Sequence, residues 1–273
     1  SSGKWEATVT APSKSSYSQP NHVLGGTIKA TDDAGNTTTV DQNHTTLGAS
    51  LKIRVKEKTA PSITITAPSA DAYITTVTPA IEFQVKDTDS GVNAGTIAVT
   101  VDGTAVSNIT KTAIDGGYKC TCTSPTLKDG SHTISVKASD NDGNAAVAKT
   151  ATFTIDTVPP TLQITAPSND LITNKKAVTV TGKTDDATSK PVTVTVNGAA
   201  VTVGTNGTFT KEVTLAEGAN TITIVAKDKA GKTTTVTRKV TVNTSAPVIK
   251  SITLSPNPVD CGKTFIIAVE ITD

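Results

Sequence analysis

Apolar and polar side chains alternate along most of this chain. Between Pro160 and Asn243, runs such as TLQITAP, AVTVTG, PVTVTV and NTITIVAK put Val, Ile or Leu at every second position with Thr or Lys between them. A period of two puts one residue set on each face of a β-strand, so each run predicts a strand with one oily and one wet face. The turn signals fall between the runs: Asn197-Gly198, Asn206-Gly207 and the DKAGK loop from Asp228. These signals predict seven strands, counting AVTV at Ala200 and the closing TFTKEVTL and TTTVTRKVTV runs. No stretch of ten or more residues carries an apolar stripe at helical spacing. Strands with a single apolar face need a second sheet to cover them, so the expected fold class is all-β, with tandem immunoglobulin-like sandwiches of Greek-key topology joined end to end by short proline-containing linkers.

The segment from Ala60 to Val158 follows the same plan. Its hairpin dipeptides are expected at Asp102-Gly103 and Asp129-Gly130. Its core is expected to include Ile65, Phe83, Val85, Val99, Val101, Ile134, Val136 and Phe153. The phrase ITAPS at Ile65 returns 99 residues later at Ile164, and prolines 61, 159, 160 and 247 mark the joints. Proline removes an amide donor and fixes its own φ, so each joint ends one sheet and enters the next with little slack. The expected division is a partial module over 1–59, sandwiches over 60–158 and 159–245, and a two-stranded partial module over 246–273. In the first of these the strand candidates are EATVTAP, GTIKATD and SLKIRVKE. The last should pair with another strand, in the neighbouring module or in a partner, or else be the start of a further domain, since two strands alone are marginal in water.

Charge removes several function classes. Lys plus Arg number 25 and Asp plus Glu 24, a net charge of +1, which leaves no electrostatic footprint for nucleic acid. No apolar run is long enough to predict membrane insertion. The chain has no methionine and opens on Ser1-Ser2-Gly3, which reads as a piece of a longer protein with a cloning remnant. Cys120 and Cys122 lie two apart on one strand face, poor geometry for a mutual disulfide, and are read as small buried apolar residues.

Candidate chemistry centres on a loop that occurs three times: ATDDAGN from Ala30, ASDNDGN from Ala138 and AKDKAGK from Ala226. The alternation leading in puts Asp32, Asp140 and Asp228 on the inward parity, where a carboxylate can accept turn amides. Gly35, Gly143 and Gly231, three residues on, supply the left-handed backbone. The loop therefore reads first as a hairpin closure and second as a calcium site. The calcium candidates are Asp140, Asp142 and Asn144, with Asp87 and Asp89 from the KDTDSG loop, itself read as a solvated turn. No other cofactor is expected. His22, His44 and His132 are read as solvated loop or strand-edge residues, and no nucleophile elbow or phosphate loop occurs, so no catalytic residue is assigned. Trp5, Tyr17, Tyr73 and Tyr118 are read as packing residues too scattered for a sugar-binding platform.

The phrases ATDDAGNTTTV, ASDNDGNAAVAKTATFTIDTVPPT and DTDSGVNAGTIAVTVDG resemble the tandem bacterial immunoglobulin-like domains of surface proteins. LKIRVKEKTAP and SITLSPNPVDCGKTF resemble such arrays in prophage tail-associated proteins of Gram-positive anaerobes. The resemblance implies a non-catalytic spacer or adhesion element on a cell surface or phage virion, with a protein or cell-surface glycan as partner. Two alternatives stay open: accessory domains of a secreted glycan- or cell-wall-acting enzyme, and a calcium-stiffened adhesin.

Overall fold

The computed structural model describes residues 3–272, and Ser1 and Ser2 of the opening tripeptide lie outside the described residues. The chain forms two units, 1–157 and 158–273. Strands make up both. No helix among the described residues is long and apolar enough to cross a membrane.

In the first unit, short strands β1 (Leu24–Gly25), β2 (Thr27–Thr31), β3 (Thr37–Asp41) and β4 (Lys52–Ile53) form two two-stranded sheets, β1-β4 and β2-β3. EATVTAP alternates but forms no strand. Its Val9 is exposed, and Trp5, expected to pack, is 94% exposed. Alternation is a promise of burial that only a covering surface can redeem.

A sandwich follows, built from β5 (Ser62–Ala67), β6 (Ala72–Ile74), β7 (Ala80–Lys86), β8 (Ala98–Val101), β9 (Thr104–Ala105), β10 (Thr110–Ile114), β11 (Gly117–Thr123), β12 (Gly130–Lys137) and β13 (Lys149–Ile155). One sheet has the order β10-β11-β7-β5 and the other β6-β13-β12-β8-β9. The inward set of the first sheet is Ile81, Phe83, Val85, Cys120 and Cys122; that of the second includes Val99, Val101, Ile134, Val136, Phe153 and Ile155. In the register of β7 and β11, Cys120 faces Phe83 and Cys122 faces Ile81, and burial raises the pKa of both thiols. Both cysteines therefore serve as core residues.

The second unit repeats the design with β14 (Thr161–Ala166), β15 (Leu171–Thr173), β16 (Ala177–Asp185), β17 (Thr193–Val196), β18 (Ala199–Val201), β19 (Thr208–Thr214), β20 (Gly218–Lys227) and β21 (Thr233–Val242). The sheets are β14-β16-β19 and β15-β21-β20-β17-β18. Seven of these strands match the alternating runs, and β15 is the addition. It spans three residues and pairs parallel with β21, too short for a period to register. The hairpin β22 (Val248–Ser255) and β23 (Ile266–Thr272) ends the unit, with Ile249, Ile252, Leu254, Ile267 and Val269 all exposed.

Two turn expectations separate here. Asp102-Gly103 and Asn197-Gly198 both take positive φ in the β8–β9 and β17–β18 hairpins. Asp129-Gly130 joins no hairpin, because β11 and β12 lie in different sheets and the chain crosses over between them. Asp129 instead accepts the Thr157 amide and hydroxyl at 3.0 and 2.9 Å. A dipeptide signals a tight turn but not which strands flank it.

Candidate functional site

The three repeated loops close in the same way. Asp32, Asp140 and Asp228 each accept, through Oδ1, the amide four residues on, at 2.8, 2.7 and 2.8 Å. Gly35, Gly143 and Gly231 take φ of 86°, 97° and 89°. A carboxylate that holds the turn amide replaces the ladder bond lost where the strands part. Surroundings differ between copies: Asp32 is exposed, whereas Asp140 is 1% exposed and Asp228 is also buried.

Asp140 is buried because other loops converge on it. The β7–β8 loop, carrying KDTDSG, is zipped to the β12–β13 loop by a bridge between Val92 and Asp140 and by the Asn141 amide on the Gly91 carbonyl at 2.9 Å. Asp87 and Ser90 are buried, so this loop is not the solvated turn expected. Asp87 Oδ1 accepts the amides of Asp89 and Gly91 at 3.0 and 2.9 Å, which folds the loop back onto its own carboxylate. Chain from the first partial module covers the same end. Ser15 donates its hydroxyl to Asp142 and its amide to Asp89 Oδ1, and the Glu57 amide donates to Asp142 Oδ2 at 3.1 Å.

This convergence brings one carboxylate oxygen each from Glu57, Asp87 and Asp140 within 4.8 Å of one another. At that separation and an effective dielectric near 20, two ionised carboxylates repel by about 3 kcal/mol. Among the described residues no Lys, Arg or His nitrogen lies within 4 Å of these three groups. Lys56 instead donates to the Asp142 carbonyl at 3.1 Å.

Of the five calcium candidates, Asp87 and Asp140 belong to this cluster and Asp142 borders it. Asp89 is turned to the Ser15 amide. Asn144 directs its side-chain NH2 at Asp140 Oδ2 and at the Glu57 carbonyl, the wrong polarity for a ligand atom. Glu57 was not a candidate. It sits in the EKTAP joint, far along the chain from both aspartates, with no spacing rule to connect them; an acid four residues before a module-opening proline was the one available signal.

Other candidate chemistry is sparse. His132 is not solvated. Its Nδ1 lies 2.6 Å from Asp102 Oδ2 and its Nε2 2.8 Å from the Lys128 carbonyl. Burial opposes the charged ring, but these two acceptors outweigh it and raise the His132 pKa; burial likewise opposes the Asp102 carboxylate, but the His132 contact and the Thr133 amide outweigh it and lower its pKa. His22 stacks on Tyr17 with ring centroids 4.1 Å apart. A depression of about 490 Å³ in the first sandwich is lined by Ala105, Val106, Asn108, Thr121 and Cys122 among others, and Cys122 is the one titratable group in that lining.

Comparison with known proteins places both sandwiches. Residues 54–157 match the bacterial Ig-like domain family and residues 160–244 match glucodextranase, domain B. The chain is 31% identical over 158 residues to bacillopeptidase F of Bacillus subtilis and 32% identical over 174 residues to chitinase ChiA of Flavobacterium johnsoniae. These alignments cover 58% and 57% of this chain but 11% of either relative. Among solved structures, fibronectin(III)-like modules of Clostridium thermocellum CbhA match at 19% identity, covering 67% of this chain and 94% of theirs, with a TM-score of 0.42. That score is too low to bear on function.

Proposed function

We propose that this tandem array of bacterial Ig-like domains is a non-catalytic spacer and accessory segment of a larger extracellular or cell-surface protein. The observation that carries the reading is the small share of its relatives that the chain spans. Modules like these occupy about a tenth of proteins named as a peptidase and a chitinase, which supports an accessory place beside an activity held elsewhere in the parent. The filled cores support it as well: each sandwich spends its inward positions on Val, Ile and Phe, and the proline-bearing joint at Val158-Pro159-Pro160 suits a spacer. The finer alternatives, a phage-tail element or a host-surface adhesin, belong to this same non-catalytic class.

The test is direct. The repurified 273-residue chain, incubated with casein and with colloidal chitin, is expected to release no product above buffer. Sustained release of peptides or chito-oligosaccharides overturns the reading.

A further inference from the structure

We infer that Lys111 and Lys211 guard the open sheet edges of the two sandwiches, keeping each edge from pairing with a β-strand of a second copy of this chain. The inference stands independently of the accessory role proposed above.

An edge strand offers unpaired amides and carbonyls to any other extended chain. The four sheets of the two sandwiches have eight edges, and six of them are blunt. Strands β6, β9, β15 and β18 span only two or three residues each. Strands β5 and β14 slip register, between Ile65 and Ala67 and between Ile164 and Ala166, and each runs between two prolines, Pro61 and Pro68 in one case and Pro160 and Pro167 in the other. That leaves β10 and β19, the outermost strands of the orders β10-β11-β7-β5 and β14-β16-β19.

Both of these strands carry a lysine on the face that looks into the sandwich. Lys111 on β10 pairs with Cys120 and Lys211 on β19 pairs with Val180, and both partners are fully buried. On β19, Lys211 alternates with Phe209, a core residue, and Val213, which packs against the core. Residues 203–204 engage Phe209 and the Thr208 carbonyl, so the free length of β19 begins at Thr210, beside Lys211.

Register shows that the lysine follows the edge. The repeated ITAPS phrase aligns Ile65 with Ile164, and counting across the sheets from these two puts Cys122 of β11 and Lys211 of β19 in the same place. Cys122 is buried on a strand that β10 flanks, whereas Lys211 takes that place where the sheet ends. Among the described residues neither lysine has a carboxylate within 4 Å. Lys111 donates to the Ala94 carbonyl, and Lys211 is half-buried. A strand laid along either edge would cover the ammonium group and take it out of water with no counter-charge to meet it. Valine there would instead complete an apolar face and favour pairing.

Sedimentation velocity and segment-resolved amide exchange on the full chain, over a hundredfold range of concentration, test this. Lys211→Val is expected to shift the mass toward a dimer as concentration rises, reversibly on dilution, and to slow exchange in residues 210–214 at least tenfold relative to wild type. Lys111→Val should do the same in residues 110–114. Lys211→Arg and Lys111→Arg keep the charge and should match wild type in both measurements. Association through the exposed β22–β23 hairpin would register in residues 248–272, and equally in every chain. Lys211→Val should melt no lower than wild type. Valine variants that keep the wild-type mass and exchange overturn the inference. Arginine variants that associate as much as the valine ones overturn it too, as does association of Lys211→Val accompanied by a lower melting temperature.

Discussion

Asp102, at the tip of the β8–β9 hairpin, clamps His132 on the neighbouring strand β12. Its Oδ2 lies 2.6 Å from the imidazole Nδ1, and its Oδ1 accepts the Thr133 amide at 2.8 Å. The second sandwich makes the backbone half of this contact with a neutral residue, Asn197 Oδ1 accepting the Thr223 amide at 2.8 Å. Only the first sandwich has therefore placed a titrating pair at this corner.

This pair makes stability depend on pH. The folded-state pKa of His132 is raised, so its contribution is fully present below the unfolded value of about 6.5 and disappears as pH rises through the folded value. Asp102 is lowered, so its contribution is present above about pH 4 and lost as pH falls further. The pair stabilises most between these limits. The melting temperature of wild type minus that of His132→Gln should be larger at pH 5.5 than at pH 8.5, and an unchanged difference would refute the assignment.

Core truncation should be severe. Phe83 and Phe153 are fully buried from opposite sheets of the first sandwich, and Phe153→Ala should cost about 3–5 kcal/mol through lost transfer energy and the cavity left behind. Denaturant titration measures it. A loss below 1 kcal/mol would mean that the two sheets do not meet there.

A second core prediction uses close approach. Gly182 on β16 pairs with Phe209 on β19, and a Cβ at Gly182 would lie 2.6 Å from both the Gln163 carbonyl oxygen and the Phe209 ring. Gly182→Ala should destabilise by about 1–3 kcal/mol because backbone on one side cannot yield. A denaturant midpoint equal to wild type would show that β14 and β16 are more loosely apposed.

Thiol chemistry should separate the three cysteines. Cys261 is exposed, whereas Cys120 and Cys122 are buried with raised pKa values. An aromatic disulfide reagent at pH 8 should label one thiol per folded chain and three in guanidinium. Cys261→Ser should abolish the fast phase and any disulfide-linked dimer on a non-reducing gel. Rapid labelling of more than one thiol in the folded chain would contradict the packing of β7 against β11.

The reading of the alternating strands rests on local chemistry. The inward positions Phe83, Val85, Ile134 and Val136, the positive φ at Asp102-Gly103, and the turn amides on Asp32, Asp140 and Asp228 all follow from neighbours within a few residues. A period of two encodes such features directly. The same logic failed where burial needed a partner: Val9 alternates in EATVTAP and stays exposed, and His132, polar in sequence, is enclosed by Asp102 and the Lys128 carbonyl.

By itself, the amino-acid order determined that the chain holds two sandwiches of alternating strands with hairpins turning at Asp102-Gly103 and Asn197-Gly198, because side-chain alternation and left-handed turn residues act over a few positions. Tertiary structure alone decided that Glu57 would meet Asp87 and Asp140, and that Ser90 and Asp142, each hydrogen-bonded to Glu57, would bury an oxygen without a hydrogen-bond partner among the described residues. Those residues come from three separate loops, and only the docking of one chain segment on a sandwich end sets the distances between their charges.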